Sequence, residues 1–330
     1  MFKKKLGFLL GVMILLSLAG WLVCLLADGT EKIDKDEDFL LVTSFYPMYV
    51  LAEKLTAGVE GVTVSNLTEN QTGCLHDYQL TSRDMKLLAE ADAFLINGGG
   101  MELFMGKVLE NNPELPVLEA SHGIALLEGA EHNHEHGEEP EEEHAHEQEK
   151  SKEGHNHEEA AHLENGHVWM DVERYRMQLA IVTEELQKLL PEQKDTLAHA
   201  AAVYDAELRI LSAEVKILKE QMKGMPVVIF HEAFAYLADS LDMEVLMALS
   251  LDEETVPSAG EIAEIIEEIN YHGHALILIE ESYGEYADKI LAETEAEAVW
   301  INPLTTGDGA ADSYLAGMRD NLAAIRAVVE

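Results

Sequence analysis

The stretch FLLVTSFYPMYVLAEKLTAG, residues 39–58, shows the unit from which most of the chain is built. The apolar run Phe39–Val42 predicts a buried strand, and Pro47 predicts the opening turn of a helix that ends before Gly58. Apolar runs and helical patterns alternate from there towards the C-terminus. This alternation predicts an α/β fold in which strand-helix lobes contain mostly parallel sheets.

Composition divides the chain into five consecutive segments. They are an N-terminal export or anchor segment (1–27), a polar linker (28–38), an N-terminal α/β lobe (39–171), a helical connecting region (172–223) and a C-terminal α/β lobe (224–330). Within the N-terminal lobe, residues 128–165 form a His/Glu-rich insertion, which is predicted to be disordered because it lacks apolar residues for a core. The connecting region has no strand candidate, and Pro191 either kinks it or starts a second helix.

The N-terminal segment predicts export. Three lysines at positions 3–5 precede an uncharged run from Leu6 to Leu26, which is long enough to span a bilayer. Lipidation of Cys24 after cleavage and an uncleaved anchor are both open. Either arrangement predicts an extracytoplasmic protein held at the membrane.

Charge and cysteine content exclude several classes of protein. The chain carries 63 acidic and 22 basic residues, a formal charge of −41, which argues against a nucleic-acid partner. It has two cysteines, and Cys74 is the only one beyond the export segment, so neither a structural disulfide nor a four-cysteine zinc cluster is expected.

Three isolated histidines occupy loops next to predicted strands. They are His76, His167 and His231. In open α/β sheets, ligands bind beyond the carboxyl ends of strands, so loops from both lobes can face one cleft. Three neutral imidazoles with a fourth open or oxygen position are a suitable zinc site.

Several ordered segments together resemble a known family. They are VTSFYPMYVLAEKLTAG, HDYQLTSRDMKLLAEADAFLINGGGMELF, GHVWMDV, HEAFAYLA, VPSAGEIAEIIEEI and the closing INPL segment. The chain resembles, from about Leu40 to its C-terminus apart from the insertion, the zinc and manganese substrate-binding proteins of bacterial ABC importers. The resemblance implies two α/β lobes joined by one long rigid helix, with a metal in the cleft between them. It also implies that His76, His167 and His231 are the metal ligands.

The resemblance bears on the choice of metal. The third ligand is His in the zinc members and often Glu in the manganese members, so His231 favours Zn²⁺, with Mn²⁺ or a broader divalent range as the alternative. The family often has Asp at the fourth position, where this chain has Asn302. Asp308, Glu281 or a water are the other candidates. We expect Glu281 to be a buried carboxylate that orients a histidine.

The segment EHNHEHGEEPEEEHAHEQEKSKEGHNHEEAAH, residues 131–162, contains eight histidines. They are His132, His134, His136, His144, His146, His155, His157 and His162. Adjacent imidazoles chelate borderline cations, but ordering such a loop opposes binding. We therefore predict weak, exchanging accessory sites that collect zinc near the cleft or report zinc sufficiency.

These features together predict a binding protein. It would capture zinc outside the cytoplasm as a monomer and deliver it to an ABC importer permease. A zinc-dependent hydrolase and a His-rich metal buffer are the alternatives. The chain has no HExxH motif, nucleophile elbow or phosphate-cradling loop, so we expect no enzyme activity. A single helical connector predicts small rocking of the lobes.

Overall fold

Two parallel sheets account for most of the fold. The computed structural model describes residues 38–68, 75, 78–129, 164–249 and 256–328. The predicted export segment, including Cys24, and residues 28–37 of the linker lie outside the described residues. Within the described part of the chain, no helix is both long enough and apolar enough to cross a membrane.

The N-terminal lobe contains the first four-stranded parallel sheet, in the order β2-β1-β3-β4. Its strands are β1 (Phe39–Thr43), β2 (Val62–Asn66), β3 (Ala93–Ile96) and β4 (Val117–Glu119). The connecting helices are α1 (Tyr46–Thr56), α2 (Ser82–Glu90) and α3 (Gly106–Asn111). Leu41, Val42 and Phe94 are fully buried, as expected where both faces of a parallel sheet are covered. The strand predicted at Phe39 and the helix predicted at Pro47 are confirmed.

A short antiparallel pair follows the first sheet. It consists of β5 (Leu127–Glu128) and β6 (Glu164–Asn165), with Glu128 opposite Glu164. The predicted boundaries of the insertion, 128–165, are therefore too wide, because its first residue and its last two residues are strand residues of the lobe. The eight predicted accessory histidines lie in residues 130–163, outside the described part of the chain.

The connecting region consists of two helices. They are α4 (Val172–Leu189) and α5 (Lys194–Met222), separated by a single 3₁₀ turn at Pro191–Gln193. Of the two alternatives at Pro191, the start of a second helix is correct, because proline fits the first turn of a helix and disrupts its interior. With 29 residues, α5 is about 43 Å long and leads directly into the second sheet.

The C-terminal lobe contains the second four-stranded parallel sheet, in the order β10-β9-β7-β8. Its strands are β7 (Pro226–Ile229), β8 (Glu244–Ala248), β9 (Leu276–Ile279) and β10 (Glu297–Trp300). Its helices are α6 (Ala233–Ser240), α7 (Ala259–His272), α8 (Gly284–Leu291) and α9 (Ser313–Ala327). All four residues of β9 are fully buried. The predicted α/β alternation of the second lobe is confirmed.

Buried aromatic contacts join the two lobes. The indole Nε1 of Trp169 donates a hydrogen bond to the carbonyl oxygen of Pro303 (2.8 Å), and the hydroxyl of Tyr314 donates to the carbonyl oxygen of Trp169 (2.8 Å). The rings of Tyr175 and Tyr314 stack with centroids 3.9 Å apart. One hydrophobic cluster includes residues of both sheets, among them Leu41 and Val227. The lobes therefore share a core, which opposes large separation.

A buried carboxylate, Glu102, connects the carboxyl ends of β1 and β3. Its Oε1 accepts hydrogen bonds from the hydroxyl of Ser44 and the amide of Asn97, both at 2.8 Å, and its Oε2 accepts from the amide of Gly98 at 3.0 Å. Burial raises the pKa of Glu102 to about 7, although these hydrogen bonds favour the charged form. Ionisation of this group is therefore linked to the stability of the N-terminal lobe.

Replacing Glu102 by Gln should remove a pH dependence of stability. Between the ordinary pKa of 4.5 and the folded pKa of about 7, the native state binds more protons than the unfolded state, so this carboxyl makes the native state less stable as pH rises. The free energy of unfolding of the wild type, relative to Glu102→Gln, should fall by ~3 kcal/mol across that window. Urea unfolding in the presence of a metal chelator, followed by circular dichroism, measures this free energy at each pH. Parallel pH profiles for the two proteins would contradict the assignment of the pH dependence to Glu102.

Candidate metal centre

Two of the predicted histidines lie side by side at the ends of strands. His167 follows β6, and His231 follows β7 after Phe230. Their ring centroids are 5.0 Å apart, with ring planes at 82°. The two residues are only 1% and 6% exposed. Two imidazoles from different lobes therefore meet in a largely buried place.

Each imidazole uses Nδ1 to contact an oxygen atom. Nδ1 of His167 is 2.9 Å from Oδ1 of Asn165, and Nδ1 of His231 is 2.5 Å from Oε1 of Glu280. Both oxygens are acceptors, so Nδ1 carries the proton in each ring. A metal would then bind at Nε2, and the contacts at Nδ1 would fix the orientation of both rings. This arrangement is the usual environment of a metal-binding histidine.

The side-chain amide of Asn165 holds both histidine segments together. Its Oδ1 also accepts a hydrogen bond from the backbone amide of His167 (3.0 Å), and its Nδ2 donates to the carbonyl oxygen of Glu232 (2.9 Å). Those two bonds fix which way the amide points. The hydroxyl of Tyr236 donates to the carbonyl oxygen of Asn165 (2.6 Å) and accepts from the amide of Leu127 (3.0 Å). Both strands of the β5–β6 pair are thus attached to α6 of the other lobe.

Aromatic rings surround the histidine pair. The ring of Trp169 lies 5.2 Å from that of His167, and the ring of Phe234 lies 5.6 Å from that of His231. Phe45 packs edge-on against Trp169 at 4.8 Å. This apolar surface limits the access of water, which strengthens polar interactions within the pair.

The backbone next to His167 fits tightly against a glycine turn. A Cβ atom on Gly166 would lie 2.6 Å from the carbonyl oxygen of Gly99 and 2.6 Å from Cγ of Met101. Gly99 itself has φ of +62°, which side-chain-bearing residues rarely adopt. Glycine at both positions lets the two backbone segments approach, and this approach sets the position of His167.

The third predicted ligand, His76, lies outside the described residues, as does Cys74. The residue before it, Leu75, is fully buried in the same hydrophobic cluster as Trp169. Among the described residues, no group of three or more His, Cys, Asp or Glu side chains is placed to hold a metal ion. The set of three histidine ligands thus stays a prediction, although the structure brings His167 and His231 together.

The expectation for Glu281 is corrected by one residue. Glu281 is exposed and starts a 3₁₀ turn, whereas Glu280 keeps an extended backbone and contacts His231. In the parallel pairing of β7 with β9, Ile229 is opposite Leu278. Continuing that register by two residues places His231 beside Glu280. The sequence alone does not identify Glu280, because the pairing of β7 with β9 is a tertiary feature.

The other two fourth-ligand candidates form hydrogen bonds within their own loop. Oδ1 of Asn302 accepts from the amide of Leu304 (2.8 Å), and Oδ1 of Asp308 accepts from the amide of Ala310 (2.9 Å). Both line a cavity of about 310 Å³ beside Tyr46 whose lining includes neither His167 nor His231. Asn302 therefore has the loop-stabilising role that its residue type suggests.

Comparison with protein families and curated proteins gives consistent matches. A family model described as zinc-uptake complex component A, periplasmic, matches residues 41–328. The zinc-binding lipoprotein AdcA of Streptococcus pneumoniae is 27% identical over 315 residues, 92% of this chain and 58% of that protein. The high-affinity zinc uptake system protein ZnuA of Bacillus subtilis is 25% identical over 273 residues, 82% of this chain and 80% of that protein. The chain thus spans little more than half the length of the streptococcal relative.

Solved structures share the fold. The SBP FpvC from Pseudomonas aeruginosa in complex with Mn²⁺ has a TM-score of 0.70 at 19% identity, covering 88% of this chain and 98% of that one. Zn(II)-bound AdcA from Streptococcus pneumoniae has a TM-score of 0.68 at 23% identity, covering 88% of this chain and 58% of that one. The predicted arrangement of two parallel-sheet lobes and a long helix is therefore confirmed.

Replacing Gly166 by Ala should destabilise the protein, because the new methyl group would overlap a backbone carbonyl that cannot move aside. We expect a loss of about 1–3 kcal/mol in the free energy of unfolding, measured by urea denaturation. Gly106→Ala is the matched control, since a Cβ atom there has nothing within 4 Å and no positive φ. Equal effects of the two substitutions would contradict the close approach at Gly166.

Proposed function

This chain belongs to the family of periplasmic zinc-uptake complex component A proteins, and we propose that it captures zinc outside the cytoplasm and delivers it to an ABC importer permease. The observation that carries the proposal is the pairing of His167 and His231, one from each lobe, with ring centroids 5.0 Å apart. A single cation of ordinary zinc–nitrogen bond length can bridge two rings at such a separation. Binding would therefore hold the lobes together.

His76 is the third ligand in this proposal. In the sequence it stands between β2 and α2, in the segment that follows the carboxyl end of β2. Loops at the carboxyl ends of parallel strands are where open α/β sheets bind ligands. Water is the fourth ligand in this proposal, since Glu280 is engaged with Nδ1 of His231.

The proposed donor set favours zinc over manganese. Three imidazoles suit zinc, whereas manganese prefers a larger share of oxygen ligands. The curated relatives AdcA and ZnuA are named for zinc, while FpvC is a structural neighbour with bound Mn²⁺. Manganese therefore remains the second candidate, and competition between the two ions on the purified protein distinguishes them.

We further propose that the chain binds and releases its metal without catalysis. A zinc hydrolase needs a general base directed at a metal-bound water. Glu280, a carboxylate that contacts His231, is directed at Nδ1 of that ring and orients it. Glu280 therefore supports a binding site better than a hydrolytic one.

The proposed partners follow from the family and from the sequence. Delivery requires a membrane permease, and the apolar run from Leu6 to Leu26 would keep the protein near it, either through lipidation at Cys24 or as an uncleaved anchor. The histidine-rich residues 131–162 would collect zinc in weak sites close to the β5–β6 pair. The tight site would not depend on them.

Deleting residues 131–162 should leave about one tightly bound zinc per chain. The pairing of Glu128 with Glu164 holds the two ends of the insertion together, and the deletion leaves Gly129, Ala130 and Leu163 as a loop of hairpin length. His231→Ala in the same background should release that zinc, because it removes one of the two paired imidazoles. Metal content after dialysis and competition with a chromogenic chelator measure both.

The same experiment separates the proposal from the metal-buffer alternative. If the histidine-rich segment is the functional site, the deletion abolishes tight binding and His231→Ala has no further effect. His274→Ala is the control substitution, because that ring contacts the carbonyl oxygen of Glu295 on an exposed turn (2.8 Å). It should leave zinc content unchanged.

Glu280→Gln should weaken zinc binding by about tenfold or more, because an amide replaces the charged acceptor at Nδ1 of His231. Glu281→Gln is the matched control, since its side chain is exposed one position further along the chain. Chelator competition, carried out on proteins that lack residues 131–162, gives the zinc affinity of each variant. A loss of affinity in Glu281→Gln but not in Glu280→Gln would show that the orienting carboxylate is wrongly assigned.

A further inference from the structure

The long helix α5 carries an exposed apolar stripe that the metal site does not use. Val203, Ile210 and Ile217 are 50%, 59% and 65% exposed, and the alanines between them, Ala206 and Ala213, are also exposed. The stripe is about 21 Å long at the helical rise per residue. Exposed apolar side chains arranged contiguously indicate an interaction surface more strongly than scattered ones.

The spacing of this stripe is that of a coiled-coil seam. The five residues follow each other at intervals of three, four, three and four, with β-branched residues at the first position of each heptad and alanine at the fourth. Small alanines let two helices approach closely, while the larger residues fill the spaces between them. This pattern is suited to pairing with a second copy of the same helix.

The opposite face of α5 is already occupied by the protein's own core. Tyr204, Leu208, Leu211, Val215 and Leu218 are all buried there. The stripe therefore cannot turn inward to be covered by the lobes. Because α5 is formed and fixed by that core, pairing through the stripe would not require the ordering of a helix.

Charges on either side of the stripe are self-complementary. Arg209 and Lys216 line one edge, and Glu207 and Glu214 lie along the other. In a parallel pair, Arg209 of one copy meets Glu214 of the other, whereas an antiparallel pair brings like charges together. Within one chain all four already form ion pairs: Glu207 with Lys54 (3.1 Å), Glu214 with Arg319 (3.2 Å), Arg209 with Asp205 (2.7 Å) and Lys216 with Glu173 (3.0 Å). Those are partly exposed ion pairs, which contribute little and can be shared or exchanged.

We propose that two copies of this chain associate through the α5 stripe in a parallel, two-fold arrangement. This departs from the monomer expected from the sequence. The histidine-rich residues 131–162 are almost devoid of apolar side chains and are a poor match for the stripe. A surface of this length buries less than the ~1,200 Å² of a stable interface, so the dimer is weak and reversible. None of the candidate metal ligands lies on α5, so this proposal is independent of the metal site.

Sedimentation equilibrium of the full chain in detergent, over about two orders of magnitude in concentration, tests the association. The wild type should dimerise, and Ala213→Glu should raise the dimer dissociation constant at least about tenfold. Ala198→Glu is the matched control, because Ala198 is an exposed alanine of the same helix outside the stripe. A monomer at every concentration, or equal effects of the two substitutions, would overturn the proposal.

A charge exchange tests the parallel geometry. Arg209→Glu and Glu214→Arg should each weaken the dimer, and the double variant should recover part of the lost association, since the exchanged charges meet across the two copies while the ion pairs with Asp205 and Arg319 within each chain stay lost. Arg209 and Glu214 are five positions apart on one helix and do not face each other within a chain. Absence of recovery in the double variant would overturn the parallel arrangement. Mixed complexes with a different polypeptide in membrane extracts, in place of dimers, would overturn self-association.

Discussion

The candidate metal centre depends on the side chain of one asparagine. Asn165 accepts two hydrogen bonds from His167, one from the backbone and one from the ring, and it donates to the carbonyl oxygen of Glu232, next to His231. One amide group therefore fixes the tautomer of one imidazole and its distance from the segment that carries the other. Asn165 is fixed in turn by Tyr236. Asn165 can form these hydrogen bonds because it lies in β6, the strand with which the lobe continues directly after the histidine-rich residues.

Sequence patterns predicted the fold and the kind of site better than its fine geometry. Apolar runs such as Phe39–Val42 and the proline at position 191 reveal strands and helix starts because these signals are local. The position of His231 after a strand is also a local signal. Its partner Glu280 is not, since the register between β7 and β9 arises from packing between segments about fifty residues apart. For that reason the sequence pointed to Glu281, one residue beyond the carboxylate that contacts His231.

One basic residue, Arg174, pairs with carboxylates where the lobes meet. With 63 acidic and 22 basic side chains, unpaired carboxylates at the lobe junction would repel each other. Arg174 of α4 bridges Asp171 (2.6 Å) and Asp239 (2.8 Å), and it lies over the ring of Tyr236. These carboxylates raise the pKa of Arg174 although burial opposes it. The guanidinium thus connects the start of α4 with α6, near the hydroxyl that holds Asn165.

The shared core limits how a bound metal could be released. Separating His167 from His231 means moving β6 away from α6, which breaks the bond from Asn165 to Glu232 and the bond from Tyr236 to Asn165. It would also disturb the bond from Trp169 to Pro303 and the stacking of Tyr175 on Tyr314. Wide opening would break all of these contacts together, and α5 has no loop at which to bend. A small rotation that moves Glu280 and His231 as one unit breaks fewer of them. Release by local displacement of one imidazole is therefore favoured over wide opening of the cleft.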